Sequence, residues 1–236
     1  MVMARRLGFC TAVATTGLTV IAFGMAVTTL PRSGPSCAYD VCVEYPYTDI
    51  AAYFPRDYLW MVPAILLLFP FVVLMSCVHS YAADERKPFS TAGLAFAAMS
   101  AAILVTIYFV QLTVVQTSIE RGETDGLALL SQYNPHGLFI ALESIGYSLM
   151  SLAFLVVAAV FSGRDAVTRT LRWLLVAAFA LTALFLVVLT VVYGNDLEYR
   201  FEIAVISINW ITLMIAGVLL SILFRRGTRA QEIEAD

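Results

Sequence analysis

The chain has 236 residues, of which 61% are hydrophobic and 13% charged, and its formal net charge is −3. A soluble domain needs charged, solvated faces on most of its elements, and this sequence has too few charges to supply them. The apolar residues fall instead into blocks of about 20 or more, the length that crosses roughly 30 Å of hydrocarbon as a helix.

Six such blocks are read, over residues 7–30, 58–79, 92–116, 136–161, 171–193 and 203–224. Inside lipid every backbone N–H and C=O must be paired within its own segment, so the blocks are helices. They lack the strict period-2 alternation of an outer-membrane barrel strand. The expected fold class is all-α, a polytopic membrane helix bundle with six transmembrane helices in one transmembrane domain. No block is left over for a soluble domain.

In chain order, Arg5 and Arg6 precede the first block. That block is well beyond the roughly 7–15 residues of a signal-peptide core, so it is read as a retained span. The loop 31–57 follows, punctuated by Pro31, Pro35, Pro46 and Pro55. Thr48 is predicted to cap a short helix over 49–54. Cys37 and Cys42 stand in this loop with four residues between them. A disulfide stapling the loop is the plain reading. A redox dithiol is the alternative, although the usual C-x-x-C spacing is missing. Cys10 and Cys77, near the other ends of spans one and two, are read as packing residues.

Tyr53, Phe54, Tyr58 and Trp60 cluster where the chain re-enters the membrane, as an aromatic interface belt does. Pro63 and Pro70 are predicted to kink the second span. Residues 84–88 form a polar turn. The third span brings Tyr108 and Gln111 to one face, with Gln116 further out. After an acidic stretch, 126–133 suits a short helix lying on the bundle. Asn134 is then predicted as the N-cap of span four and Pro135 as its first helical residue.

Span four carries a polar stripe of His136, Glu143, Tyr147 and Ser151. Glu143 lies about 30 Å along the helix from Gly163, which places it near the boundary opposite that glycine. In span six, Glu202 and Asn209 are seven residues apart and share a face. The small-residue rows Gly17/Gly24 and Gly217/Ser221 are expected to let helices approach closely.

Orientation follows from Lys and Arg in the short connections. With the N-terminus inside, the cytoplasmic segments hold ten: Arg5, Arg6, Arg86, Lys87, Arg164, Arg169, Arg172, Arg225, Arg226 and Arg229. The outer segments hold four: Arg32, Arg56, Arg121 and Arg200. Both termini are therefore expected in the cytoplasm, with the loop 31–57 outside.

Ionisable groups inside a membrane are functional candidates by default. If the stripes of spans three, four and six converge, they line an outward-facing cavity, and Glu143, His136, Gln111, Tyr108, Tyr147, Asn209 and Glu202 become candidate ligand-binding residues. The alternative is that the same groups hydrogen-bond between helices as structural glue. The two histidines, His79 and His136, fall on opposite sides, so they cannot both ligate one haem, and no cluster has zinc-site spacing. His136 with Glu143 or Glu202 would make at most a weak metal site. No Gly-rich phosphate loop or serine nucleophile motif is present. The sequence names no cofactor and no nucleic-acid partner; the expected partners are membrane lipids and a small amphipathic ligand.

The stretches 126–137, 139–143, 199–202 and 206–210 resemble segments of uncharacterised six-span prokaryotic integral membrane proteins. The likeness extends over most of the chain. It implies a six-span topology in a prokaryotic plasma membrane and no particular activity.

The leading expectation is a non-enzymatic binder of a small amphipathic ligand or lipid, anchored by Glu143, acting as a sensor or accessory subunit. A transporter or channel is the second reading; it needs polar groups that continue to the cytoplasmic side, where spans three, four and six turn apolar. The third is an intramembrane enzyme using Glu143 and His136 as an acid–base pair. Their i, i+7 spacing separates them by about 10.5 Å along the helix, too far for direct proton transfer.

Overall fold

Among the described residues six helices are long and apolar enough to cross a membrane. The computed structural model describes residues 2–29, 31–34, 37–163 and 165–233, the side chains of 2 and 227–233 excepted. The first two spans are α1, Val2–Val27, and α2, Met61–Tyr81. The third is α3, Lys87–Val110, which continues through a π-turn, Gln111–Val115, into α4, Gln116–Arg121. A single turn, α5, Leu127–Leu130, precedes α6, Leu138–Ala158. The last two spans are α7, Ala166–Tyr193, and α8, Tyr199–Ile233.

Neighbours in sequence pack as neighbours in space, α1 on α2, α2 on α3, α3 on α6, α6 on α7 and α7 on α8. The circuit closes because α1 also packs along α8, and α6 touches α8 directly. The connections 28–60, 122–137 and 194–198 gather at one end of the bundle, here the loop end. The turns 82–86 and 159–163, the start of α1 and the end of α8 mark the opposite, terminal end.

Small residues set the closest approaches. A Cβ on Gly93 of α3 would overlap the Val157 side chain of α6, and one on Gly146 of α6 would lie 2.7 Å from Leu104 of α3. A Cβ on Gly217 of α8 would run into Thr16 of α1. The Gly17/Gly24 row behaves differently: open space surrounds both positions. These two glycines face outward, so only the Gly217 half of the small-residue expectation describes a packing contact.

Helix α7 is the least embedded span. Its buried residues, Thr168, Leu171, Leu175, Ala178 and Thr182, repeat every three or four positions and form one narrow seam. Leu184, Val187, Val191 and Val192 are exposed. In water such a face would be untenable, whereas in a bilayer acyl chains cover it.

Several expected boundaries shift, each for a local reason. An apolar block ends where polarity begins, but a helix ends where its backbone is capped. Thus α1 starts at Val2 and α8 runs on to Ile233, through polar residues. Helix α7 begins at Ala166 because the Asp165 carboxylate accepts the backbone N–H of Thr168. Asn134 is not the N-cap of span four. Its side chain accepts from the His136 N–H and donates to the Ala128 carbonyl, folding the 131–137 connection, and Gly137 precedes the helix. Thr48 makes no side-chain cap, and 49–53 is a 3-10 turn. Only 127–130 of the expected 126–133 helix is helical. Pro63 sits in the first turn of α2, where its missing N–H costs nothing; Pro70 alone lies in the interior. Cys77 is buried as expected, but Cys10 is exposed.

Candidate functional site

The polar stripe of α6 does turn inward. Glu143, Tyr147 and Ser151 are spaced by four and are all buried. Across from them, α3 presents Tyr108 and α8 presents Trp210, both with no exposed surface. Trp210 Nε1 donates to Tyr147 Oη at 2.8 Å, Tyr147 and Tyr108 hydroxyls lie 3.0 Å apart, and Tyr108 donates to Glu143 Oε1. A phenol has one proton to give. Because Tyr108 spends its proton on Glu143, Tyr147 donates to Tyr108, and the run reads Trp210 to Tyr147 to Tyr108 to Glu143.

The second oxygen of Glu143, Oε2, is buried and meets no donor group. Its carboxyl lies against that of Glu202 from α8. An ionised carboxylate only accepts, so two carboxyls can bond to each other only by sharing a proton. Glu143 is fully buried, whereas Glu202 keeps partial exposure because it lines a cavity.

That cavity encloses about 360 Å³ at the loop end, between α1 and α8. Phe23, Ala26 and Val27 of α1, Trp60, Phe139, and Ile203, Ile206 and Trp210 of α8 make an apolar body. Arg32, Ser33, Asp57, Gln132, Tyr133 and Tyr199 make a polar roof. Pockets of this size with a few converging polar groups are the usual form of a small-molecule site.

The roof is held by contacts between residues far apart in sequence. Arg32 pairs with Asp57, and Tyr133 donates to the same carboxylate at 3.2 Å. The Arg32 guanidinium also lies over the rings of Tyr39, at 3.9 Å, and Tyr53, at 4.2 Å. Burial works against the charge of Arg32, but the bond to Asp57, the charge of that carboxylate and the neighbouring Tyr39 and Tyr133 together outweigh it and hold the guanidinium above its usual range. Burial, reinforced by Tyr58 and Asp57, pushes the Tyr133 phenol far above its ordinary value, so it remains a donor. Ser33 and Tyr199 hydroxyls meet at 2.6 Å, and Tyr199 reaches the Gln132 carbonyl at 3.3 Å. Cys37 and Cys42 form a disulfide that closes the turn carrying Tyr39.

Of the seven candidate ligand-binding residues read from the sequence, Glu202 alone lines this cavity. Glu143, Tyr108 and Tyr147 stand behind it in the hydrogen-bonded run. Gln111 pins the 127–133 segment, donating to the Leu130 carbonyl at 2.5 Å and accepting from the Gln132 N–H at 3.2 Å. Asn209 ties three helices together. Its amide donates to Ser151 at 2.9 Å and to the Val205 carbonyl at 2.8 Å, while Ser151 meets Thr182 of α7 at 2.9 Å.

His136 is elsewhere. Its side chain is 60% exposed and lies 4.0 Å from Glu198. It borders a separate shallow groove between α6 and α7, lined by Ser144, Ser148 and Leu186. Trp60, read from the sequence as part of an interface belt, is buried against Tyr108 and Trp210, with ring centroids 5.3 and 6.0 Å away. The roof residues Arg32, Ser33, Asp57, Tyr133 and Tyr199 were not singled out for a site. The available signal was a charged pair, Arg32 and Asp57, bracketing the longest loop.

Compared with family models, with curated proteins and with solved structures, the chain has no match in any of the three. The resemblance to six-span prokaryotic proteins thus receives no support from a family model, and the class stands on the chain's own residues: a multi-span α-helical membrane protein.

Proposed function

We propose that this protein is a non-enzymatic binder of a small amphipathic molecule or lipid, held at the loop end in the cavity between α1 and α8. One observation carries the reading: an apolar chamber of about 360 Å³ is capped by a polar roof and has a carboxyl, Glu202, on its wall. Val27 and Ile203, which flank it, are about half exposed on the outer surface of the bundle. That position supports entry sideways from the bilayer. Glu202 serves as the polar anchor, and Glu143 backs it from within the bundle. Tyr108, Tyr147, Gln111 and Asn209 hold the walls in place, and His136 lies outside the chamber.

The distribution of ten basic residues against four supports a loop end on the outer side of a plasma membrane. A binder of this kind acts as a sensor or accessory subunit. Conduction is disfavoured because the interior beyond Asn209 is apolar, with Phe71, Leu74, Phe154, Val157 and Leu213 around a void of only about 20 Å³. The test is native mass spectrometry of protein released from nanodiscs, wild type beside Ser207→Phe, which fills the chamber from its wall. A bound species in the wild type that is missing from the variant is the expected result. Absence of any bound species from both overturns the reading.

A further inference from the structure

We infer that the chamber selects amphiphiles with a cationic, hydrogen-bond-donating head, a primary ammonium on an apolar tail, seated at Glu202 near the indoles of Trp60 and Trp210. The inference rests on the binder reading and adds the head-group chemistry to it.

Charge is the first argument. Among the described residues Arg32 is the only cation lining the chamber, and Asp57 neutralises it while the rings of Tyr39 and Tyr53 lie against it. Once that pair is set aside, the lining keeps one acidic side chain, Glu202, with a second carboxyl, Glu143, directly behind it. Even with one proton shared between them, the pair retains a negative charge whenever the second proton is off. An isolated charge in such surroundings is costly unless a counter-charge enters.

Hydrogen-bonding capacity is the second. Apart from a proton shared between the two carboxyls, their four oxygens receive one donor among the described residues, the Tyr108 hydroxyl, and no other group donates to the buried Glu143 Oε2. The phenol and indole donors are already committed: Trp210 Nε1 to Tyr147, Tyr133 to Asp57, Tyr199 to the Gln132 carbonyl; the Gln132 amide N–H in the roof is unspent but carries no charge. What the wall lacks is donors with positive charge, and an ammonium brings three.

The third is aromatic. Trp60 and Trp210 both line the chamber and stand 6.0 Å apart in an edge-to-face arrangement, with Trp210 also edge-on to Phe23 at 5.8 Å. Indole rings attract cations, and they do so more strongly when water is excluded. A carboxylate would face Glu202 as a like charge, and the cation in the lining, Arg32, is already paired with Asp57.

An ammonium head could arrive on a free alkylamine or on an aminated membrane lipid, and the experiment separates these. In a Trp173→Phe background only Trp60 and Trp210 remain of the three tryptophans, and both report on the chamber. A nitroxide-labelled alkylamine is added to nanodiscs of phosphatidylcholine, and the quenching is reversed with octylamine, octanol or octanoate. The expected result is displacement by octylamine at concentrations at least about tenfold below octanol, with octanoate weakest. Glu202→Gln should abolish the preference, and Glu202→Asp should retain most of it. If phosphatidylethanolamine in the disc competes as well, a membrane lipid is the source; if it does not, a free amine is. Equal displacement by octylamine and octanol overturns the charge selection and leaves the binder reading standing. No displacement by any of the three overturns the binder reading itself.

Discussion

Trp210 donates its indole N–H to the hydroxyl of Tyr147 at 2.8 Å, and that one bond sets the direction of every hydroxyl between it and Glu143. The indole can only donate, so Tyr147 must pass its own proton onward to Tyr108, and Tyr108 to the carboxyl. A string of four side chains from three helices is thereby polarised toward Glu143. Its terminus is an acceptor, and this is why the wall of the chamber ends in unmet acceptor capacity.

Because the run terminates on an acceptor, an amide should replace Glu143 without loss. In Glu143→Gln the amide oxygen still accepts from Tyr108 and its NH2 now donates to Glu202. The thermal midpoint in detergent should equal or exceed that of the wild type. Tyr108→Phe removes the donor and should lower stability by about 1–2 kcal/mol, the upper range for buried polar contacts in membrane bundles. A Glu143→Gln variant that melts well below Tyr108→Phe would refute this account of the run.

The glycines should divide into two groups. Gly217→Ala places a methyl against Thr16, and Gly93→Ala places one against Val157, so each should cost about 1–3 kcal/mol through overpacking. Gly17→Ala and Gly24→Ala meet open space and should be neutral, or mildly stabilising by helix propensity. Thermal melts of the four variants side by side check the division.

Asp165 supplies a pH signature at the start of α7. Its side-chain bond to Thr168, 2.6 Å from the hydroxyl, holds the carboxyl below its usual range. A carboxyl with a depressed folded-state pKa contributes stability above its unfolded value, and the contribution fades as pH falls through the folded value. The melting difference between wild type and Asp165→Ala should therefore be full at neutral pH and shrink below about pH 4. A difference independent of pH would mean the cap does not act through the ionised carboxylate.

Orientation is open to direct chemical labelling. Asp125 is exposed at the loop end and Glu85 at the terminal end. In intact cells a membrane-impermeant maleimide should label Asp125→Cys, and it should reach Glu85→Cys only after permeabilisation. The reverse pattern would invert the proposed topology.

The spans were legible because the bilayer imposes a length and a solvent, and both are written into composition. Their ends were less so. Asn134-Pro135 carries a helix-start signal, but the Asn134 side chain is drawn off to the Ala128 carbonyl and the helix waits until Leu138. The π-turn at 111–115 left no mark in the pattern; the Gln116 side chain, donating to the Gln111 carbonyl at 3.3 Å, stabilises it after the fact. Within the site, helical spacing predicted a shared face for Glu143, Tyr147 and Ser151. It failed for His136, which precedes the helix and so does not follow its period. The roof could not be read at all. Arg32 meets Asp57 across 25 residues and Ser33 meets Tyr199 across 166, and no local period encodes a pairing of that reach.

The seam between α1 and α8 joins the first helix to be made with the last. Phe23 against Trp210, Thr16 beside Gly217 and Phe224 over Gly8 all belong to it. The face of α1 that bears Ala12 and Thr16 must therefore stay against lipid, or against other proteins in the membrane, until some two hundred further residues have been inserted. Its threonines are suited to the interval, since Thr11, Thr16 and Thr19 turn their hydroxyls back onto carbonyls of their own helix. The chamber itself exists only after α8 arrives. During synthesis there is nothing for an amphiphile to occupy, so the proposed site is the final product of assembly, and a chain stopped short of α8 would have five spans and no chamber.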